Sequence, residues 1–204
     1  MSQLAAFVAV AILVIVTPGP DTALTIRHTL LGGRRGGIFT AVGVAGGQAT
    51  WTVATAIGIA SLLAASEQVS GWVRLAGAAY LVFLGVRALA VPARRESFDG
   101  AVTRLAPQAA FRQGLVSNLT NPKMAAFFPA LLPQFAPEGE SAFIVLLGLG
   151  LLFSSLTLAW LTAYAFAVAK AGAVLRRPRI RRALEAATGA VLIALGLRLA
   201  QHGR

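Results

Sequence analysis

The chain contains no cysteine, which excludes disulfide bonds, thiolate metal sites and thiol redox chemistry. It has only two histidines, His28 and His202, and neither has a second metal-ligating side chain at a suitable spacing. No nucleophile–base or metal constellation of the kind that enzymes use is visible. We therefore predict a protein that is not an enzyme, with no metal and no cofactor.

Charged residues are also scarce. They make up 12% of the 204 residues, against 57% hydrophobic residues, whereas soluble domains carry about 25% charged residues. Such a chain has too little polar surface to cover itself in water, so it is predicted to lie in a lipid bilayer. The net charge of +11 does not predict nucleic-acid binding, because the basic residues cluster in short loops between apolar runs.

Long apolar runs are what the sequence has in abundance. Six of them approach or exceed the roughly 20 residues that a helix needs to cross a bilayer, and they lack the alternation of barrel strands. The predicted fold class is an all-α integral membrane protein with six transmembrane helices. The approximate spans are 4–26, 38–65, 69–91, 109–135, 142–169 and 184–200.

The distribution of Lys and Arg predicts the orientation of these spans. Fourteen basic residues lie at alternate loops on one side and three on the other, and the basic side is expected to be cytoplasmic, with both termini outside. The basic loops are also expected to contact anionic lipids. A specific lipid or regulator site in "RRPRIRR" is the alternative to a plain topology signal there. The fourteen are Arg27, Arg34, Arg35, Arg87, Arg94, Arg95, Arg104, Arg112, Lys170, Arg176, Arg177, Arg179, Arg181 and Arg182.

The two halves of the chain resemble each other. "AYLVFLGVRAL" and "AVLIALGLRLA" align at an offset of 111 residues and share a Gly-x-Arg pair, while Pro20 and Pro122 align at an offset of 102. Three spans per half is an odd number, so the copies must be upside down relative to each other. We predict two inverted three-helix repeats, residues 1–100 and 101–204, in a single membrane domain.

Both the first and the fourth spans are interrupted, by "TPGPD" and by "TNPK". Proline removes a backbone donor, and a broken helix survives in hydrocarbon only where it lines a protein interior or a cavity. Simple kinks are the alternative, but matching breaks in two halves indicate a midplane binding site. The residues expected at the breaks and cavity are Thr17, Pro18, Gly19, Pro20, Asn118, Thr120, Asn121, Pro122 and Gln48. Gly43 and Gly47 form a small-xxx-small pair that predicts close helix packing nearby.

A charged residue follows each break, and Asp21 and Lys123 occupy equivalent positions. Each costs about 2.5–3.5 kcal/mol at the centre of a membrane helix. They form either a structural ion pair between the halves or a pair that opens to bind a zwitterion, Asp21 to the ammonium and Lys123 to the carboxylate. Competition between a proton and an ammonium for Asp21 is the minimum that antiport needs. A single acid favours a neutral amino acid over a dibasic one.

These motifs, taken in order, resemble the LysE/RhtB family of bacterial amino-acid exporters over nearly the whole chain. They are "TPGPD", the Gly-rich second span, "AGAAYLVFLGVRAL", "NLTNPK…FF…LPQF" and "GAVLIALGLRLA". The resemblance implies proton-driven efflux of amino acids or related small metabolites across the bacterial cytoplasmic membrane. It also implies that the segments holding Pro18, Pro20, Asp21, Asn121, Pro122 and Lys123 matter for transport. The alternatives are an exporter of another metabolite or cation, and a channel or scaffold with a structural Asp21–Lys123 pair. The sequence leaves homo-oligomerisation open.

Overall fold

The computed structural model describes residues 3–63, 105–136 and 142–175, together with a few single positions outside these ranges. Within them the chain is helical, with short turns and no strand, which confirms the all-α fold class. The third and sixth predicted spans and most of the basic loops lie outside the described residues. The inverted repeat of residues 1–100 and 101–204 therefore stays a prediction.

The first predicted span is broken where the sequence indicates. Helix α1 covers Gln3–Val16, and helix α2 covers Pro20–Leu63. Helix α2 begins at a proline, where the missing N–H would have no partner in any case and the fixed φ suits the first turn. The axis bends by 52° across the break between them.

Helix α2 consists of two arms that fold back on each other at Gly33. This residue has φ 64° and ψ −162°, a left-handed backbone conformation that favours glycine. The Nδ1 atom of His28 lies 2.7 Å from Oγ1 of Thr40, twelve residues later, whereas a straight helix would separate the two residues by about 18 Å. The first arm is 20–32 and the second arm is 34–63. The loop expected between spans at 27–37 is thus helical except at Gly33, because one left-handed glycine suffices to reverse the chain.

The fourth predicted span is also broken into two helices. Helix α3 covers Pro107–Leu119 and helix α4 covers Pro122–Ala130, followed by a 3-10 turn at Leu132–Phe135. Helix α4 begins at Pro122, 102 residues after the start of α2. Both breaks therefore restart a helix at a proline, at the offset that the sequence predicts.

Helix α5 covers Ala142–Leu175 without interruption. Its segment Ala142–Lys170 is long and apolar enough to cross a membrane, in agreement with the predicted fifth span. Among the described residues, the bent pair formed by α1 and the part of α2 up to Gly58 meets the same criterion if it counts as one span.

The core holds the short helix α4 at its centre. Phe127 of α4 stacks on Phe153 of α5 with ring centroids 4.6 Å apart, and Phe128 meets Phe153 edge-on at 5.6 Å. Phe7 of α1 is fully buried in the same cluster. Six of the nine residues of α4 are buried. This packing holds the start of α4, where Lys123 lies, in the interior of the protein.

Helices α3 and α5 pack along α2, and the contact with α3 is backbone to backbone. A Cβ atom on Gly43 would overlap the carbonyl oxygen of Phe111, and one on Gly114 would overlap the carbonyl oxygen of Thr40. The close approach predicted from Gly43 and Gly47 is confirmed.

Candidate functional site at the two helix breaks

Asp21 lies in the first turn of α2 and is 8% exposed. Its Oδ1 accepts a hydrogen bond from Oγ of Ser117 at 2.8 Å. Its Oδ2 accepts from Nδ2 of Asn118 at 2.8 Å and from Nδ2 of Asn121 at 2.9 Å. All three donors flank the second break. Both oxygens of the carboxylate therefore have donors, and the group lies at the N-terminus of a helix.

Lys123 lies in the first turn of α4 and is bound to the first break. Its Nζ donates to the carbonyl oxygen of Val14 at 3.1 Å and to that of Thr17 at 3.0 Å. In an uninterrupted helix the carbonyl of Val14 would accept from the amide of residue 18, but Pro18 has no N–H. Because a buried carbonyl needs a donor, Lys123 supplies the one that Pro18 lacks.

Asn121 joins the two halves of this arrangement. Its Nδ2 donates to Asp21, and its Oδ1 accepts from the backbone N–H of Lys123 at 3.0 Å, which caps the start of α4. A carboxylate only accepts hydrogen bonds, so the amide orientations of Asn118 and Asn121 are fixed by Asp21.

Each of the two charged residues is therefore held by the opposite break. In the described part of the chain, Asp21 and Lys123 share no hydrogen bond with each other. The ammonium of Lys123 packs against the first break, since a Cβ atom on Gly19 would lie 3.4 Å from Nζ. The structure thus brings the predicted pair together through the broken backbone and its polar neighbours.

The other residues expected at the site fall into two groups. Thr17 and Gln48 are buried, and the prolines with Gly19 form the backbone of the breaks. Thr120 is exposed, and its hydroxyl donates to the carbonyl of Val116 at 2.8 Å, so it takes no part in the hydrogen bonds around Asp21.

Two buried amide oxygens beside this network have no hydrogen-bond partner among the described residues. They are Oδ1 of Asn118 and Oε1 of Gln48. Gln48 donates through Nε2 to Sδ of Met124 at 3.8 Å, and Asn118 lies against Gly47, where a Cβ atom would come within 2.8 Å of Oδ1. A buried acceptor without a donor costs about 1–3 kcal/mol. The region is therefore rich in acceptors and suited to a ligand with several N–H groups.

A groove of about 640 Å³ between the first arm of α2 and α3 borders this network. Ser117, which donates to Asp21, forms part of its wall. Arg27 and Arg112 also line it and are exposed, and both lie on the side that the predicted orientation makes cytoplasmic. The full lining is Pro20, Ala23, Leu24, Arg27, Ala109, Arg112, Gln113, Val116 and Ser117.

Neither Ser117 nor His28 is among the residues that the sequence predicts at the site. Ser117 directly precedes the predicted Asn118, and only the three-dimensional structure shows that its hydroxyl reaches Asp21. His28 is 1% exposed and is hydrogen-bonded to two other segments. The spacing of Asp21, Thr25 and His28 places all three on one face of a helix, and this pattern could have indicated a polar, buried face.

An apolar helical chain with two proline-broken helices that meet at buried charged residues has the features of a secondary transporter. The family model for the LysE type translocator matches residues 12–203. The chain belongs to this family, and it is a membrane transport protein.

Relatives of similar length support this assignment. The chain is 25% identical to the uncharacterized membrane protein YrhP of Bacillus subtilis, over 97% of this chain and 98% of the relative. It is 29% identical to an uncharacterized membrane protein of Vibrio cholerae, over 96% and 95%. It is 30% identical to the leucine efflux protein of Salmonella typhimurium, over 67% and 66%. No solved structure gives a significant match.

Proposed function

We propose that this protein is a proton-coupled exporter of neutral amino acids in the bacterial cytoplasmic membrane. The observation that carries the proposal is the buried Asp21 carboxylate and its hydrogen-bond partners. Among the described residues, Asn118 has an amide oxygen without a partner, and Ser117 lines a groove. Family membership supports translocation as the activity. The leucine efflux relative supports a neutral amino acid as the substrate.

In this proposal the α-ammonium of the substrate binds at the acceptor-rich region. An ammonium has three N–H donors, and the acceptors available to it are the Asp21 carboxylate, Oδ1 of Asn118 and Oε1 of Gln48. Asp21 is the only carboxylate in the described ranges 3–63, 105–136 and 142–175. A proton and the substrate ammonium therefore compete for the same negative charge. This competition couples export of the amino acid to import of the proton.

The substrate carboxylate would be attracted by cations along the same path. Arg27 and Arg112 are exposed in the groove, at the side expected to face the cytoplasm. Lys123 uses two of the three donors of its ammonium on Val14 and Thr17, which leaves one for a carboxylate near the breaks. Alternating access would then arise from rocking of the two inverted halves, 1–100 and 101–204, around this site.

Binding of radiolabelled leucine to the purified protein in detergent tests the ammonium site directly. The Asp21→Asn variant should bind leucine at least tenfold more weakly, because the ammonium loses its counter-charge; a tenfold change corresponds to about 1.4 kcal/mol. The α-keto acid analogue of leucine, which lacks the ammonium, should not compete.

Thr120→Ala is the matched control, because Thr120 lies at the same break but is exposed and bonded to its own helix. It should bind leucine as the unsubstituted protein does. Equal competition by the keto acid, or unchanged binding by Asp21→Asn, would contradict the proposed site.

A further inference from the structure

His28 joins three segments around the groove. It belongs to the first arm of α2, its Nδ1 lies 2.7 Å from Oγ1 of Thr40 on the second arm, and its Nε2 lies 3.1 Å from Oε1 of Gln113 on α3. The ring is 1% exposed, whereas Gln113 is exposed and lines the groove. Nothing in the ammonium site described above uses this imidazole.

The hydrogen bonds of Thr40 fix the position of one ring proton. The Thr40 hydroxyl donates its single hydrogen to the carbonyl oxygen of Gly36 at 2.8 Å, so its oxygen can only accept from the ring. Nδ1 of His28 is therefore the N–H donor to Thr40. The ring can gain or lose a proton only at Nε2, the nitrogen that faces Gln113.

Gln113 can serve both charge states of the ring. Its amide oxygen accepts from an Nε2–H group when the ring is charged, and its NH₂ group donates to a bare Nε2 after a 180° rotation of the amide. The amide oxygen faces Nε2 in the structure, which is the arrangement for a charged ring. Neither charge state leaves a buried ring nitrogen without a partner.

We propose that His28 is a second proton-binding group of the transport cycle, which exchanges its proton at Nε2 directly with water in the groove when the side chain of Gln113 turns away from the ring. The proposal rests on the proton-coupled export put forward above. The proton comes from water in the groove and returns to it, and no other group is consumed. The hydrogen bond between Nε2 of His28 and Gln113 connects the first arm to α3. Asp21 lies on the same arm, and Ser117 and Asn118 of α3 donate to it.

Charged groups lie on the arm that carries His28 and on the helices that pack against this arm. On its own arm these are Asp21, two turns earlier, and Arg27, which acts electrostatically on the ring. The second arm contributes Arg34 and Arg35 beside the turn at Gly33, α3 contributes Arg112 and α5 contributes Lys170. Among these described groups Asp21 is the only anion, so a cation that binds to Asp21 disfavours a second positive charge on His28. Substrate binding would thus promote proton release.

Nitrogen-15 NMR of the histidine rings tests this assignment without reference to transport. The chain has only two histidines, so a His202→Ala variant labelled with ¹⁵N-histidine in lipid nanodiscs reports on His28 alone. The expected result is a neutral ring protonated at Nδ1 at high pH, which gains a second proton at Nε2 as the pH falls from 9 to 5. A neutral ring protonated at Nε2, or no titration in that range, would overturn the proposal.

Three further substitutions in the same background test the geometry. Gln113→Glu replaces the amide with a carboxylate at Nε2 and should raise the midpoint of the His28 titration by at least one pH unit, whereas Gln113→Met should not raise it. Asp21→Asn should lower that midpoint. Unchanged midpoints in both Gln113→Glu and Asp21→Asn would overturn the link between the groove, His28 and Asp21.

Transport measurements separate this proposal from the proposed function. In liposomes, His28→Gln should retain leucine movement. The pH profile of its transport rate should lose at least one titration step. Gradient-driven movement with an unchanged pH profile in His28→Gln would overturn the role of His28 and leave the exporter proposal intact. No gradient-driven movement by the unsubstituted protein would overturn the proposed function itself.

Discussion

At the scale of single residues, each helix break supplies hydrogen-bond partners for the other. Pro18 removes the amide that would bind the carbonyl of Val14, and Lys123 from the second break replaces it. Asp21 from the first break accepts the side-chain donors of Ser117, Asn118 and Asn121 from the second. A buried charge is tolerated only when such partners satisfy it. The two charges are therefore part of the fold as well as of the proposed site.

Removing the ammonium of Lys123 should destabilise the protein. The Lys123→Met variant leaves the carbonyls of Val14 and Thr17 without this donor, at about 1–3 kcal/mol each, while loss of a buried charge offsets part of that cost. We expect the free energy of unfolding to fall by about 2 kcal/mol. A lower thermal unfolding midpoint in detergent, measured by tryptophan fluorescence, would show it.

Lys170→Met provides the matched control for this prediction, because Lys170 is exposed near the end of α5. The midpoint of the control should stay within the range of ordinary surface substitutions, about ±0.5 kcal/mol. Equal midpoints for Lys123→Met and Lys170→Met would show that the carbonyls do not depend on the ammonium.

The sequence predicts which residues lie at the site better than it predicts their contacts. Proline and buried charge are local signals, so Pro20, Asp21, Pro122 and Lys123 could be placed at two breaks without a structure. The choice between an ion pair and separate partners depends on distances of a few ångströms between segments about 100 residues apart. Neither periodicity nor composition encodes these distances.

At the scale of helices, glycines determine how closely the second arm of α2 approaches the site. Gly47 lies against Asn118, where a Cβ atom would come within 2.8 Å of both Cβ and Oδ1 of that residue. Gly46 is adjacent in sequence but faces the side chain of Leu115, at an ordinary 3.6 Å from the added Cβ position. The two glycines therefore have different tolerance for a methyl group.

Gly47→Ala should weaken leucine binding, because it displaces the asparagine that bonds to Asp21 and provides one of the unpartnered oxygens. We expect a loss of about tenfold in affinity, which corresponds to about 1.4 kcal/mol. Gly46→Ala should leave the affinity within about twofold. The comparison of the two dissociation constants is the measurement, and a larger loss for Gly46→Ala than for Gly47→Ala would contradict the packing described here.

One predicted helix boundary is wrong. The predicted spans leave a loop at 27–37, but the chain is helical there except at Gly33. The Arg-rich, Gly-rich composition of this stretch hides its helical character, and several glycines there could have formed the turn. Only packing against the opposite arm, through pairs such as His28 with Thr40, makes one of them the point of reversal.

At the scale of the whole molecule, the distribution of Arg and Lys predicts the orientation in the membrane. Because the chain has no cysteine, single cysteines can be introduced without a background signal. A membrane-impermeant maleimide added to intact spheroplasts should label Ser2→Cys and Ser141→Cys and leave Ser97→Cys unlabelled until the membrane is opened. Labelling of Ser97→Cys in intact spheroplasts would contradict the predicted orientation.

The central claim is that the two broken helices form a site where a neutral amino acid and a proton exchange for each other. Movement of labelled leucine in liposomes that contain the purified protein, measured with an imposed pH gradient, tests it most directly. We predict that leucine moves against its own gradient when protons flow the opposite way, that reversing the pH gradient reverses the movement, and that Asp21→Asn abolishes this coupling. Leucine movement that ignores the direction of the pH gradient would contradict the account and indicate an uncoupled channel.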